Sequence, residues 1–179
     1  MAWDKGFNFR ETAAYVTDGT NETYVLGQTD TYPITRNGVT FGWETPGGDM
    51  PRDRDSTVDR RLAGVNQGDN ATEAPEFRVD LPATGGFDVS LAAGDTGFDN
   101  IQDVRFLDTT TNLSTVADNV ATTENQYVDA TGVLRSEANW PSQNAVNSLT
   151  FSTTIFRVEI CQLSAASAST TLAHLFVSQ

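Results

Sequence analysis

The 179-residue chain has very few of the side chains on which many active sites depend. It contains one cysteine, Cys161, so an internal disulfide and a cysteine-based zinc cluster are excluded. Its single histidine, His174, excludes metal sites with several histidines and would have to serve any serine–histidine–aspartate triad alone. We expect Cys161 to be an inert thiol and His174 to be a core or interface residue.

Long apolar runs and concentrated positive charge are also missing. No apolar run approaches about 18 residues, so the sequence predicts no membrane span. The first five residues lack a basic segment followed by an apolar one, so we expect no secretory signal. Lys5 is the only lysine among 11 basic residues, and the net charge is −13. A sequence pI near 4.2 argues against a nucleic-acid partner, because phosphate binding needs clustered lysine and arginine.

The chain does have a strong β pattern, with apolar residues at alternate positions and turn residues between the runs. Asn37-Gly38 is a strong signal for a two-residue hairpin turn. No segment shows a convincing helical stripe. The alternation predicts strands near residues 39–44, 76–81, 86–92, 102–107, 149–160 and 171–177.

Two of these segments have unusual patterns. The apolar positions in 149–160 change parity near Ile155–Phe156, which predicts a β-bulge within one strand. The segment 171–177 is apolar on both faces, which is typical of a central strand covered on both sides. About nine strands without helices predict an all-β fold, a two-sheet antiparallel jelly-roll sandwich. We expect one domain over 7–179, preceded by an N-terminal arm over 1–6.

Arginine and aspartate alternate from Asp49 to Arg61, and this cluster admits two interpretations. Arg52 and Arg54, with the ring of Trp43, would form a glycan-binding surface. Alternatively, the arginines pair with neighbouring acids and pack their stems on Trp43, which is then a core residue. We favour the second interpretation, because alternating signs are what self-pairing requires.

The acidic loop 94–100 has carboxylates at alternate positions around a glycine. Asp95 and Asp99 would supply two oxygen ligands to a calcium ion, although the EF-hand pattern is absent. We expect a plain acidic turn here and no cofactor, with structural calcium as the alternative.

The order of several segments resembles the galactose-binding-like β-sandwich modules found beside esterase and pectin-active domains in secreted bacterial enzymes. The resemblance covers roughly residues 7 to 110, and it implies a jelly roll without catalysis of its own. Such modules often bind sugars at loop ends or on a concave sheet face, and some hold calcium. The segments that carry the resemblance are Thr40–Trp43, Arg52–Arg54, Asp59–Leu62, Phe77–Pro82 and Val89–Asp95.

The chain is also similar, more weakly, to small single-domain proteins that decorate the virions of tailed phages. We therefore predict a non-enzymatic decoration or cement protein on the virion surface. It would be a homo-oligomer that binds the major capsid protein or another virion protein through Trp3, Lys5 and Trp140. The alternative is a carbohydrate-binding module that uses Trp43, Arg52 and Arg54. A hydrolase is disfavoured, because no G-x-S-x-G motif is present.

Overall fold

A computed structural model describes residues 2–13, 21–45, 50–54, 59–68, 74–160 and 170–179. These residues form strands, one short helix, α1 (Trp140–Gln143), and two 3-10 turns, Gly27–Thr29 and Arg60–Leu62. Within the described ranges, no helix is long and apolar enough to cross a membrane. The strands are β1 (Asp4–Phe9), β2 (Glu22–Val25), β3 (Ile34–Arg36), β4 (Val39–Thr45), β5 (Met50–Asp53), β6 (Gly64–Gly68), β7 (Glu76–Asp80), β8 (Gly85–Asp95), β9 (Asn100–Asp108), β10 (Thr111–Thr122), β11 (Gln126–Val128), β12 (Leu134–Ser136), β13 (Asn147–Phe151), β14 (Ile155–Ile160) and β15 (Thr170–Ser178).

The strands form two sheets. The larger sheet has nine strands. Six follow the order β12-β11-β8-β15-β1-β2, while β13 also pairs with β8, β6 pairs with β15, and β5 pairs with β6. The smaller sheet has six strands in the order β10-β9-β14-β7-β4-β3. Every strand pair is antiparallel except β1 with β2, which are parallel. The predicted fold class, an all-β two-sheet jelly-roll sandwich, is confirmed.

The β3–β4 hairpin turns at Asn37-Gly38, as the sequence predicts. Asn37 has a φ of 50° and Gly38 a φ of 71°. Two successive residues with positive φ match the right-handed twist of the strands on either side, and asparagine and glycine tolerate that conformation best. This turn projects from the edge of the smaller sheet.

The predicted N-terminal arm is wrong for residues 4–6, which lie inside the larger sheet. They belong to β1, which pairs with β15 on one side and β2 on the other. Trp3 packs edge-on against Phe87, with 5.8 Å between ring centroids, and its carbonyl accepts a hydrogen bond from the backbone N–H of Gln179. Backbone pairing on both sides holds this segment in place despite its polar sequence.

The predicted bulged strand over 149–160 is also wrong, because the chain changes sheets there. β13 pairs with β8 in the larger sheet, whereas β14 pairs with β7 and β9 in the smaller one. Ser152–Thr154 make the crossing, and the carboxylate of Asp108 accepts hydrogen bonds from the N–H and the hydroxyl of Ser152. The apolar parity changes because the two sheets face the core from opposite sides.

The main core lies between the sheets, and a second cluster lies on the outward face of the larger sheet. Eight phenylalanines are almost fully buried between the sheets. The outward cluster sits over β8 and β15, so β15 is covered on both faces, as its apolar sequence predicts. Its members are Leu62, Val65, Ala92, Tyr127, Trp140 and Ala173.

Candidate functional site

An open cleft lies where the edge of the larger sheet at β2 meets the β3–β4 hairpin of the smaller sheet. It has a volume of about 460 Å³. The side chains of β2 and of the hairpin face each other across the cleft. They include a carboxylate, a tyrosine ring, a guanidinium and a carboxamide. The residues that line this edge cleft are Glu22, Thr23, Tyr24, Arg36 and Asn37.

Arg36 is held in place on three sides. Its guanidinium makes a bidentate ion pair with Asp30, in which Nη2 lies 2.7 Å from Oδ1. Its Nη1 also donates to the carbonyl of Tyr24 at 3.0 Å, and the guanidinium carbon lies 4.3 Å from the Tyr24 ring centroid. Hydrogen bonding to Asp30 raises the pKa of Arg36 above its usual value, so the positive charge is permanent.

Glu22 lies at the inner end of the cleft and is only 11% exposed. Its carboxylate accepts a hydrogen bond from Asn8 Nδ2 at 2.7 Å and lies 3.2 Å from His174 Nε2. Burial raises the pKa of Glu22, but the hydrogen bonds from His174 and Asn8 outweigh this and leave the pKa lowered. A Cβ at Gly6 would lie 2.2 Å from the carboxylate, so only glycine leaves room for Glu22 in this position.

Asn37 connects the hairpin wall of the cleft to β2 and to β1. The Asn37 side chain donates from Nδ2 to the carbonyl of Glu22 at 2.7 Å, which ties the hairpin to β2. Lys5 Nζ donates to the carbonyl of Asn37, also at 2.7 Å. Lys5 therefore borders this cleft from β1, where the sequence predicts a free arm.

Of the three tryptophans predicted to bind a partner or a sugar, Trp3 is half-buried and the other two are buried. Trp43 is 1% exposed and lies beside Phe9 and Phe77, so it cannot stack on a sugar. Trp140 is fully buried, and its Nε1 donates to the carbonyl of Leu91 at 2.8 Å. The helix α1 places Trp140 on the outward face of the larger sheet. The ring therefore packs against the protein's own sheet and is not exposed to a partner. The decoration role itself stays a prediction.

The arginine–aspartate cluster pairs its charges, but only partly with the neighbouring acids predicted. Arg61 makes an ion pair with Asp59 at 2.6 Å, whereas Arg54 finds its partner outside the cluster. Arg54 makes a bidentate ion pair with Asp95, 41 residues away, at 2.8 and 2.7 Å. Its guanidinium lies over the ring of Phe98 instead of Trp43. Arg52 donates to the carbonyl of Pro51 at 2.9 Å. Asp49 and residues 55–58 of the cluster lie outside the described residues.

The two aspartates of the predicted calcium site make contacts with the protein itself. Asp95 is 2% exposed and binds Arg54, while Asp99 is exposed and accepts a hydrogen bond from the backbone N–H of Glu124. Across the described part of the chain, no group of three His, Cys, Asp or Glu side chains could hold a metal. Calcium binding stays a prediction, and Cys161 lies outside the described residues.

Comparison with known proteins shows the fold. No protein-family model matches the chain, and a search of curated protein sequences finds no match either. The crystal structure of protein YXIM from Bacillus subtilis matches with a TM-score of 0.57 at 14% identity and covers 99% of this chain. The chain spans 40% of the length of that protein. At this identity the likeness shows a shared fold alone.

Two carbohydrate-binding modules are similar at lower scores. CBM35 from Paenibacillus barcinonensis has a TM-score of 0.38 at 10% identity, over 78% of this chain and 98% of the module. The family 32 module of C. perfringens NanJ, solved in complex with galactose, has a TM-score of 0.33 at 14% identity, over 79% of this chain and 93% of the module. Both scores are low, so we base no functional argument on them.

Proposed function

We propose that the protein is a non-catalytic carbohydrate-binding module that binds a glycan in the edge cleft. The observation that carries the proposal is the set of side chains in that cleft, which combines planar hydrogen-bonding groups with an aromatic ring. A guanidinium, a carboxylate and a carboxamide each present hydrogen-bonding atoms in a fixed plane, and neighbouring sugar hydroxyls match such pairs. The resemblance of the sequence to galactose-binding-like modules supports the same class of function.

The cleft is also ordered before any ligand binds. Arg36 is fixed by Asp30, and Glu22 is fixed by Asn8 and His174. Side chains that are already held in place lose little conformational entropy on binding, so more of the contact energy becomes affinity. Among the described residues, no hydrogen-bond partner of the Tyr24 hydroxyl is found, which leaves this group for a ligand.

The first experiment is a glycan array probed with the whole protein, followed by calorimetric titration of the sugars that bind. Asn37→Gly removes the carboxamide from the cleft while glycine tolerates the φ of 50°. We expect at least about a tenfold loss of affinity, which corresponds to one hydrogen-bonded contact of ordinary strength.

Asn119→Gly is a matched control for this variant. Asn119 is also an exposed asparagine with a positive φ, 56°, but it lies in β10 at the opposite edge of the smaller sheet. Its substitution should leave glycan affinity unchanged. Absence of binding across the array, or equal effects of the two substitutions, would contradict the proposal.

A further inference from the structure

Phe98 differs from the other phenylalanines in its exposure. The chain has ten phenylalanines, of which eight are buried and Phe176 is half-buried, whereas Phe98 is 61% exposed. Single exposed apolar side chains are common and carry no meaning alone. Phe98 is unusual because hydrogen bonds fix its backbone and an arginine side chain packs against its ring.

Three hydrogen bonds fix the turn that carries the ring. Asp95 accepts from the backbone N–H of Gly97 at 2.8 Å, and Asn100 Nδ2 donates to the carbonyl of Phe98 at 3.1 Å. Asp99 accepts from the backbone N–H of Glu124 at 2.9 Å, which ties the turn to the segment after β10. The backbone is therefore held on both sides of Phe98.

The Arg54–Asp95 pair supports the ring from one side. The guanidinium carbon of Arg54 lies 5.0 Å from the Phe98 ring centroid, and Asp95 fixes the guanidinium through two hydrogen bonds. A ring fixed in this way loses little freedom when a partner covers it, which favours binding.

The surroundings of the ring are acidic. Asp99 and Glu124 are both exposed, and the hydrogen bond described above places the backbone of Glu124 beside the Asp99 carboxylate, so both acids belong to the same surface. Glu11 is also exposed, and its charge acts on Arg54. Like charges in proximity repel, and the net charge of −13 adds to the effect. A cationic partner would relieve this repulsion.

We propose that Phe98 and its acidic rim (Asp99, Glu124 and Glu11) bind a partner protein through a surface that pairs an apolar pocket with lysine or arginine. Phenylalanine has no polar atom, and the Nε and Nη2 atoms of Arg54 are already used by Asp95. The ring therefore offers no hydrogen-bonding atom of its own to a sugar, and an apolar ring beside negative charges fits a basic protein surface. This inference does not depend on the edge cleft.

The test uses a yeast-displayed random peptide library selected against the whole protein, and the enriched peptides are then titrated with the wild type and with Phe98→Ala. We expect enriched peptides in which apolar residues are flanked by lysine or arginine. Their affinity should fall at least about tenfold on Phe98→Ala, which removes an exposed side chain and should leave the melting temperature unchanged. Val146→Ala, at another exposed apolar residue, is the control and should bind normally.

A second variant tests the rim. Asp99→Asn combined with Glu124→Gln keeps the side-chain shapes but removes two charges, so affinity should fall and become less dependent on salt. Enrichment of neutral or acidic peptides, equal binding to Phe98→Ala, or no enrichment at all would overturn the proposal. Glycan-array binding that disappears in Phe98→Ala would overturn it as well, in favour of a sugar site.

Discussion

The two sheets share one core, but their outward faces are stabilised in different ways. The outward face of the larger sheet is buried under a second apolar cluster that includes Trp140, Tyr127 and Leu62. The outward face of the smaller sheet instead carries ion pairs, in which Glu44 joins Arg78 and Arg157. One sheet therefore works as an interior layer, while the other has an ordinary surface.

The difference shows in the strand sequences. β15 is buried at nearly every position, whereas β7 alternates between buried Phe77 and Val79 and charged, half-buried neighbours. Burial of apolar area stabilises a fold by about 25 cal/mol per Å², while partly exposed ion pairs contribute little, because solvent screens them and their side chains lose entropy. We therefore expect substitutions on the larger sheet's outward face to be much more damaging.

Trp140→Ala should have the largest effect. The substitution leaves a cavity beneath α1 and removes the hydrogen bond to the carbonyl of Leu91, so we expect a loss of about 3–5 kcal/mol in the free energy of unfolding. Denaturant titration measures it. Trp140→Phe, which keeps a ring but not the N–H donor, should lose markedly less. A loss below about 1 kcal/mol in Trp140→Ala would show that the outward cluster contributes no real packing.

Glu22→Gln changes a polar residue at the edge of the larger sheet. It should have an intermediate effect on the free energy of unfolding. The pKa of Glu22 is lowered from an ordinary value of 4.5, so the ionised carboxylate stabilises the fold above that pH. This contribution is lost as the pH falls through the lower pKa of the folded protein. At neutral pH the variant should be less stable by about 1–2 kcal/mol.

Urea titrations at several pH values between neutrality and strong acid check this behaviour. The difference between the wild type and Glu22→Gln should shrink as the pH is lowered below 4.5. Glu124→Gln controls for the removal of one charge from an exposed site. A difference that stays constant or grows with acidity would show that hydrogen bonding to His174 and Asn8 does not favour the ionised form.

The smallest effects are expected on the outward face of the smaller sheet, where two arginines differ in burial. Arg157 is 12% exposed and also donates to the carbonyl of Thr109, so Arg157→Ala should lose about 1–2 kcal/mol. Arg105 is 31% exposed with Glu159 as its ion-pair partner, so Arg105→Ala should lose at most about 1 kcal/mol. If either loss exceeds that of Trp140→Ala, the contrast between the faces is wrong.

Local patterns account for the parts of the fold that were predicted correctly. Alternating apolar residues locate β4, β7, β8 and β9, because in each segment the alternation itself shows which face of the strand is buried. The pairing of β1 cannot be found in this way. Asp4, Lys5 and Gly6 show no alternation, and distant backbone partners hold them in the sheet. The sheet change after β13 shows only as a parity switch, which a bulge would produce equally well.

The candidate cleft was harder to predict, because distant segments build it. Glu22 and Tyr24 alternate with buried residues in a four-residue strand, a pattern that indicates outward side chains but gives no reason to single them out. Arg36 precedes the predicted Asn37-Gly38 turn, but its ion-pair partner Asp30 can be identified only from the three-dimensional structure. In the same way, the sequence predicts that Arg54 is paired but cannot choose Asp95 among the many carboxylates of an acidic chain.

The pairing of β1 with β15 affects the order of events during synthesis. Lys5 lies opposite Val177 in the sheet, so β1 must wait for a strand that is translated about 170 residues later. At ~5–20 residues per second, translation of the intervening chain takes roughly 10 to 30 s. During that time the central position of the larger sheet is empty, and β8 and β1 both have unpaired backbone edges. Co-translational folding of the larger sheet is therefore incomplete until β15 emerges, and this interval is when chaperone protection matters most.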